Sequence, residues 1–272
     1  MEFLHISDLH YRTHYPATEK GYLSIFADMR SPLIQIRKGL QEICIEKLSF
    51  VLISGDLTEH GEEQDYRELK QQLDQLFGRV PYVVTPGNHD NLEAFCRVWE
   101  PLPDEKPCFG TVRCFGKVRV IALNNASEQH PDGMISTDHC IWLEARLKEH
   151  SGEGERVILM MHHPLVTDPA SSMPAVEYSP AFPELLRKYP VAAILCGHTH
   201  DRLSGTFNEV LFATAGSMSF KGYEQPGGTV CFREYASMNL CRIEDRYVSI
   251  REIPVTEDGK VLGTVRMSQS VH

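Results

Sequence analysis

Five short polar segments of this chain contain the residue types that bind divalent metal ions. Each segment directly follows an apolar run. Together they supply two carboxylates, four imidazoles and one amide: Asp8, His10, Asp56, Asn88, His162, His198 and His200. Such a mixed set suits Mn, Fe, Co, Ni or Zn better than Ca or Mg. A set of this size is too large for one tetrahedral ion and fits two ions that share a carboxylate. Because no cysteine stands at these positions, a structural zinc site is not indicated.

The spacing of these residues points to the same kind of site. Asp8 and His10 are two residues apart, as are His198 and His200. In an extended strand, residues i and i+2 point to the same face, so each pair would offer two ligands to one centre. Glycine directly precedes Asp56, Asn88 and His198, which permits the sharp turns and close backbone approach that a crowded site requires.

The apolar periodicity predicts the elements that must position these side chains. Strands are predicted at residues 3–7, 50–53, 80–85, 110–115, 118–123, 156–161 and 191–196. Helices are predicted at residues 32–47, 62–77, 92–99 and 137–150. The β-α-β-α-β start favours an α/β core with neighbouring parallel strands. Ligands bind beyond the carboxyl ends of such strands, so the five polar segments are expected to converge on one edge.

The pattern of apolar and polar residues changes after His200. Short, alternating segments follow at residues 202–207, 211–213, 228–234, 238–243 and 247–253, with a last strand at 261–267. This pattern predicts an antiparallel run that forms a second sheet. The Pro- and Ser-containing loop at 164–183 predicts a functional lid. Since no linker is visible, residues 1–272 are expected to form a single domain, with a C-terminal strand and tail over about residues 254–272.

Composition narrows the function classes. The chain has 272 residues, is 42% hydrophobic and 24% charged, and carries a net charge of -10, which disfavours a nucleic-acid partner. No apolar run approaches the roughly 18 residues of a membrane helix. The N-terminus lacks the features of a signal peptide, so a cytoplasmic location is expected. The eight cysteines are scattered and are expected to be reduced thiols.

The five polar segments, in this order, resemble the calcineurin-like metallophosphoesterase superfamily over most of residues 3–216. The blocks Gly55–Thr58 with Gly61, Gly87–Asp90, Met161–Pro164 and Gly197–His200 are most similar to the class III cyclic-nucleotide and glycerophosphodiester phosphodiesterases. The resemblance implies an α/β fold, the metallo-dependent phosphatase fold, which is a four-layer α/β/β/α sandwich of two mixed β-sheets.

The resemblance also implies roles for individual residues. The first of two divalent ions (Mn, Fe, Zn or Co) would be held by Asp8, His10, Asp56 and His200. The second would be held by Asp56, Asn88, His162 and His198, so that Asp56 bridges the two. The neighbouring His163 is the alternative to His162. His89 would lie beside the phosphate as a catalytic group, with Asp90 as the partner that fixes its ring orientation and tautomer.

The function expected from this resemblance is hydrolysis of a small phosphodiester, a cyclic nucleotide or a glycerophosphodiester, by a metal-bridging hydroxide. The alternatives are a phosphomonoesterase or nucleotide-linked pyrophosphatase and, from another class, a non-catalytic binding module. The substrate would be chosen by loops 11–30, 164–183 and 217–227. Five aromatic residues are candidates to stack on a base: Tyr11, Tyr15, Tyr178, Phe220 and Tyr223. A membrane partner is not expected, and a homo-oligomer is left open because related enzymes often assemble through their C-terminal regions.

Overall fold

The computed structural model describes residues 1–15, 19–99, 108–127, 130, 132–149, 154–169, 171–245, 247–256 and 259–266. The strands are β1 Glu2–Ile6, β2 Leu48–Ser54, β3 Tyr82–Thr85, β4 Gly110–Phe115, β5 Val118–Leu123, β6 Met134–Ile135, β7 Arg156–Met160, β8 Glu177–Tyr178, β9 Val191–Cys196, β10 Ser204–Phe207, β11 Val210–Thr214, β12 Phe220–Gln225, β13 Thr229–Glu234, β14 Ala236–Ile243, β15 Val248–Thr256 and β16 Val261–Arg266. The α-helices are α1 Pro32–Leu40, α2 Glu63–Phe77, α3 Leu92–Val98, α4 Thr137–Lys148 and α5 Ala181–Lys188.

Two mixed sheets form the centre of the molecule. The five-stranded sheet has the order β15-β14-β1-β2-β3 and the six-stranded sheet has the order β10-β11-β9-β7-β5-β4. Strands β1, β2 and β3 run parallel, as do β5, β7, β9 and β11, whereas the outer strands β14, β15, β10 and β4 are antiparallel to their neighbours. Each sheet therefore carries the parallel strands that the sequence predicts together with antiparallel edges.

Alternate residues of the buried strands build the layers. Phe50 and Leu52 of β2 face the second sheet, where Phe50 stacks on Phe115 of β4 with ring centroids 4.3 Å apart. Val51 and Ile53 of the same strand face α1, α2 and α3 on the other side. Helices α4 and α5 cover the outer face of the second sheet in the same way. A strand buried on both faces reads as a continuous apolar run, and the predicted α/β/β/α sandwich of two mixed sheets is confirmed.

The helix predicted at residues 32–47 is too long. It ends at Leu40, and a separate 3-10 helix follows at Ile45–Lys47. The backbone N–H groups of Gln41 and Glu42 donate to carbonyls three residues earlier, which tightens the last turn and ends the α-helix. The helix predicted at 137–150 ends at Lys148, while residue 150 lies outside the described residues.

The prediction that the segments after His200 form one second sheet is wrong. Strands β10 and β11 extend the six-stranded sheet, β14 and β15 complete the five-stranded sheet beside β1, and β12, β13 and β16 form a separate three-stranded sheet. The strand β12 lies in the segment 217–227 that was expected to be a loop. The predicted loop 164–183 also contains β8, and its end belongs to the first turn of α5, where a proline is tolerated.

Among the helices that the structure describes, none is long and apolar enough to cross a lipid bilayer.

Candidate metal centre

The seven ligand candidates lie directly after the carboxyl ends of five parallel strands. Asp8 and His10 follow β1, and Asp56 follows β2. The remaining residues follow β3, β7 and β9, respectively: Asn88, then His162, then His198 and His200. Their side chains meet at one edge of the two sheets, where open α/β sheets bind their ligands.

A first group of donor atoms joins Asp8, His10, Asp56 and His200. One ligand atom from each of them lies within 4.8 Å of the others. The Nε2 atoms of His10 and His200 are 3.0 Å apart. His10 Nε2 is 3.6 Å from Asp56 Oδ2, and His200 Nε2 is 3.5 Å from Asp8 Oδ1. All four side chains are buried or nearly so, and these ligand atoms are therefore largely shielded from solvent.

A second group of donor atoms shares Asp56 with the first. His162 Nε2 lies 3.3 Å from Asp56 Oδ2 and 3.1 Å from Asn88 Oδ1. His198 Nδ1 approaches the same amide oxygen at 3.0 Å. His163 packs its ring against His198, with centroids 4.5 Å apart, and has a ligand atom within 4.8 Å of those of His162 and His198. It is therefore His162 that stands beside Asp56 and Asn88.

The backbone around these residues is strained. Asp8, His10, Asp56, His198 and His200 have φ values of 55°, 46°, 47°, 72° and 54°, in the left-handed region that non-glycine residues rarely adopt. Among the described non-glycine residues, the other two with positive φ are neighbours in the β10–β11 turn. Residues held in such conformations cluster at functional sites, because the surrounding structure must offset the strain.

The ligand pairs do not lie in extended strands, contrary to the prediction from their spacing. Strand β1 ends at Ile6 and β9 ends at Cys196, so neither pair of ligand candidates lies in a strand. Asp8 and His10 both join the first donor group, whereas His200 joins the first and His198 the second; all four residues adopt the left-handed conformation just beyond a strand end.

Gly87 shows why the segment before Asn88 requires a glycine. A Cβ atom at this position would overlap Asp56 Oδ1 and would lie 2.5 Å from the backbone nitrogen of Asp56. We expect Gly87→Ala to lower the free energy of unfolding by about 1–3 kcal/mol and to weaken metal retention, because the backbone of Asp56 must move. Thermal unfolding and metal content measure both effects. Gly205→Ala is the matched control, since a Cβ atom there meets nothing within 4 Å; equal effects of the two variants would contradict the explanation.

Fixed contacts behind three imidazoles orient their Nε2 atoms. His162 Nδ1 donates to Ser54 O at 2.7 Å, and His200 Nδ1 donates to Phe220 O at 2.6 Å, since a carbonyl oxygen can only accept. His10 Nδ1 lies 2.7 Å from Glu59 Oε2. In the neutral rings the proton is thus on Nδ1 and the lone pair on Nε2 points into the cluster, as in histidines that bind metals.

Burial makes the charges of the two aspartates costly. Asp8 is 0% and Asp56 2% exposed, and their ion-pair partners among the described residues are histidines. Burial raises the pKa of Asp8. For Asp56, burial acts in the same direction, but the charges of His162 and His89 hold its pKa well below the usual range. The same pairing raises the pKa of His162 to about 9, although burial alone would lower it. Two buried carboxylates beside imidazoles form an arrangement whose negative charge a bound cation would balance.

His89 is placed at the edge of the cluster. Its backbone N–H donates to Asp56 Oδ1 at 3.0 Å, and its side chain is 30% exposed. Its Nδ1 lies 3.2 Å from Glu59 O and 3.5 Å from Glu59 Oε2. Burial lowers the pKa of His89, but the charges of Asp56 and Glu59 outweigh this effect and raise it to about 10. The ring thus borders both the buried carboxylates and the open side of the site.

No hydrogen bond joins Asp90 to the ring of His89 among the described residues, so the predicted orienting role of Asp90 stays a prediction. In the described part of the chain, its carboxylate accepts hydrogen bonds from the backbone of Leu57 at 3.0 Å and Gly87 at 2.8 Å, and from the hydroxyl of Tyr66 at 2.8 Å. Asp90 therefore joins the segments after β2 and β3. The carboxylate beside His89 is that of Glu59, which the sequence argument missed although it lies three residues after Asp56.

We expect Asp90→Ala to lower the free energy of unfolding by about 3 kcal/mol, because several buried donors lose their acceptor. Chemical unfolding measures the change, and Asp28→Ala, at an exposed position, is the control. A variant with native stability and a purely kinetic defect would instead support the predicted role of Asp90 in orienting His89.

A cavity of about 650 Å³ opens over the cluster. Of the aromatic residues proposed to stack on a base, Phe220 lines this cavity; it is joined there by Tyr22 and Phe232, which were not predicted. Tyr178 packs against Phe182 and Phe207 instead. Tyr11 and Tyr15 are not part of the cavity lining. The hydroxyl of Tyr11 donates to Glu68 of α2, and the hydroxyl of Tyr15 accepts from the backbone N–H of Arg12 in its own loop.

Comparison with known proteins agrees with this geometry. The family model of the calcineurin-like phosphoesterases matches residues 1–202. The chain therefore belongs to the calcineurin-like phosphoesterase family, which is a family of hydrolases.

Two relatives and one solved structure illustrate the similarity. The chain is 30% identical over 179 residues to the "Probable glycerophosphodiester phosphodiesterase" of Arcobacter nitrofigilis. The match covers 64% of this chain and 64% of the relative's length. It is 30% identical over 184 residues to a "Probable cyclic nucleotide phosphodiesterase" of Synechococcus, covering 65% of this chain and 69% of the relative. The purple acid phosphatase of yellow lupin shares the fold, with a TM-score of 0.64 over 97% of this chain and 53% of that one, at 15% identity.

Proposed function

We propose that this protein hydrolyses small phosphodiesters with two divalent metal ions held at the candidate metal centre. The observation that carries the proposal is the shared position of Asp56, whose Oδ2 lies 3.6 Å from His10 in the first donor group and 3.3 Å from His162 in the second. Asp8, His10, Asp56 and His200 would hold one ion, and Asp56, Asn88, His162 and His198 the other.

The donor atoms fit such ions. The Nε2 atom of His200 carries a lone pair, because its Nδ1 is the donor to Phe220 O, and it lies 3.0 Å from the Nε2 atom of His10. Two lone pairs at this distance repel each other unless a proton or a cation lies between or beside them. Two buried carboxylates next to them also require positive charge. Imidazole, carboxylate and amide oxygen together suit Mn, Fe, Zn or Co.

The protein's own groups then determine how a substrate is handled. When bound, two divalent ions would supply a water of lowered pKa as the nucleophile and positive charge for the phosphoryl oxygens. Their four positive charges exceed the two negative charges of Asp8 and Asp56, so an anionic phosphate is attracted to a protein of net negative charge. His89 borders the cavity and would donate a proton to the leaving-group oxygen. Glu59 would hold its ring through Nδ1, which leaves Nε2 for the substrate.

The relatives support diesters as the substrate class, with glycerophosphodiesters and cyclic nucleotides as the leading members. The decisive experiment is a substrate panel with protein that has been stripped of metal and reloaded with Mn. It contains cyclic nucleotides, glycerophosphodiesters, bis(p-nitrophenyl) phosphate, phosphate monoesters and a nucleotide-linked pyrophosphate. We expect turnover of diesters that depends on metal. Faster turnover of monoesters or pyrophosphates would replace the substrate class, and inert protein that retains no metal would indicate a binding module.

We further propose that residues 1–272 form a single domain, since strands from both ends of the chain, β1 and β14, pair in one sheet. The cytoplasmic location and the homo-oligomer stay predictions from the sequence.

A further inference from the structure

One wall of the cavity over the candidate metal centre is apolar. It is formed by the three-stranded sheet, the 3-10 helix at Gly21–Ala27 and a segment before β8. The apolar and aromatic side chains of this wall are Tyr22, Met173, Pro174, Phe220, Val230 and Phe232. The cavity thus has two chemically different sides, one with metal-type ligands and one that can remove apolar surface from water.

The aromatic part of the wall is already packed into a fixed arrangement. The ring centroids of Tyr22, Phe220 and Phe232 lie 5.4–6.0 Å from one another, with the rings at 61–77°. Phe26 supports the group from behind, with its centroid 5.7 Å from both Tyr22 and Phe220. Phe220 also lies 4.6 Å from the ring of His200. The wall is therefore continuous with the first donor group and would contact a substituent on a phosphate held there.

The charged residues at the cavity have one sign apart from the histidines. Asp132 and Glu224 belong to the lining, and among the described residues that form it there is no lysine or arginine. Glu224 Oε1 accepts hydrogen bonds from Ser172 N at 3.0 Å and Ser172 Oγ at 2.6 Å, which join the segment before β8 to β12. These hydrogen bonds lower the pKa of Glu224, so the carboxylate stays negative at neutral pH. A cleft lined by carboxylates repels further negative charge on a ligand.

We propose that the wall of Tyr22, Phe220, Val230 and Phe232 binds a planar, uncharged ester group of the substrate, and that Glu224 and Asp132 disfavour ester groups that carry additional negative charge. This inference rests on the proposed function and specifies its substrate: a monoanionic diester with at least one flat, apolar substituent. Phe232 and Glu224 are then specificity-determining residues, because they contact the ester group and not the reacting phosphorus.

Binding of two monoanionic probes tests the aromatic part of the proposal. Mn-loaded protein is titrated by calorimetry with O-phenyl methylphosphonate and O-methyl methylphosphonate, which differ in the ester group alone. We expect the phenyl ester to bind about tenfold more tightly, and Phe232→Leu to reduce this preference to about twofold, because the aromatic contact is lost while apolar bulk remains. The matched control is Tyr223→Leu, which removes an exposed aromatic of β12 that is not part of the lining.

Equal affinity of the two probes, or an unchanged preference in Phe232→Leu, would overturn the assignment of the wall. Since Phe232 is buried and its replacement could disturb the small sheet, Met173→Ala repeats the measurement at a partly exposed position on the other segment. We expect a smaller loss of the preference there, of about twofold.

A second pair of probes tests the charge at the cavity. Phenyl phosphate carries two negative charges at pH 8, and O-phenyl methylphosphonate carries one. We expect Glu224→Gln to shift the ratio of their dissociation constants in favour of the dianion by about threefold, a modest change because Glu224 is exposed to solvent. Glu177→Gln, at an exposed position outside the lining, should leave the ratio unchanged. An unchanged ratio in Glu224→Gln would remove the charge argument.

The binding measurements and the turnover measurements fail independently. If Mn-loaded protein binds the phenyl probe through Phe232 but hydrolyses no phosphoester, the proposed function is wrong and the assignment of the wall stands. If it hydrolyses diesters without a preference for planar ester groups, the proposed function stands and the assignment of the wall is wrong.

Discussion

Replacing Asp56 by asparagine is expected to release bound divalent metal and to lower kcat/KM for bis(p-nitrophenyl) phosphate by at least about 10³-fold. The Oδ2 atom of Asp56 approaches His10 in one donor group and His162 in the other, so one carboxylate serves both proposed ions. An amide offers one neutral oxygen and no negative charge. Because a bound ion can lower the pKa of water to about 7, loss of the ions also removes the nucleophile at neutral pH.

Metal content after dialysis and steady-state kinetics on the same sample check this prediction. Asp65→Asn is a matched control, since Asp65 is also a buried aspartate and accepts a hydrogen bond from the backbone of Thr13 at 2.8 Å, outside the cluster. It should retain metal and most of the activity. Two ions per chain in Asp56→Asn would show that Asp56 does not bridge them.

The placement of the ligand candidates could be predicted from the sequence because it depends on local patterns. In β2, apolar residues face both neighbouring layers, so residues 50–53 appear as an uninterrupted apolar run that ends shortly before Asp56. The polar residue after such a run has to lie at the sheet edge. The same pattern holds at β7 and β9, whose last residues directly precede the segments with His162 and His198.

The contacts between distant segments were not predictable in the same way. The choice between Glu59 and Asp90 as the partner of His89 depends on how three loops fold over one another, and both carboxylates lie within a few residues of a ligand candidate. Similarly, β14 could have extended either sheet by its alternation alone. It pairs with β1, from the other end of the chain, because β1 would otherwise leave unpaired backbone groups at the centre of the first sheet.

Strand β12 shows a further limit of pattern reading. Phe220 is buried against the aromatic wall, whereas most of the following residues of the strand are exposed, and Gly222 interrupts the run. Its sequence therefore resembles that of a loop, and its pairing with β13 supplies the order that the pattern lacks. The consequence concerns function, since the wall that we propose to bind the ester group is built on this strand.

The largest expected kinetic effect with intact metal binding comes from His89→Ala. The ring contacts Glu59 and borders the cavity but belongs to neither set of proposed ligands. We expect both ions to stay bound and kcat to fall by about 10²–10⁴-fold for diesters with an alkyl leaving group, because an alkoxide must be protonated as it departs. The loss should be smaller for bis(p-nitrophenyl) phosphate, whose phenolate is stable without a proton. This dependence on the leaving group separates proton donation from a structural role.

Glu59→Gln extends the same measurement to the group that orients the ring. At saturating metal, we expect a loss of about 10–100-fold, and in the double variant with His89→Ala a loss close to that of His89→Ala alone, because Glu59 would then act on turnover through His89. Its contact with His10 predicts a parallel loss of affinity for the first ion, which metal titration resolves.

His60→Ala, which replaces an exposed histidine directly after Glu59, should leave kinetics and metal content unchanged. Equal losses for alkyl and aryl leaving groups in His89→Ala would contradict proton donation, and fully additive losses in the double variant would show that Glu59 acts independently of His89.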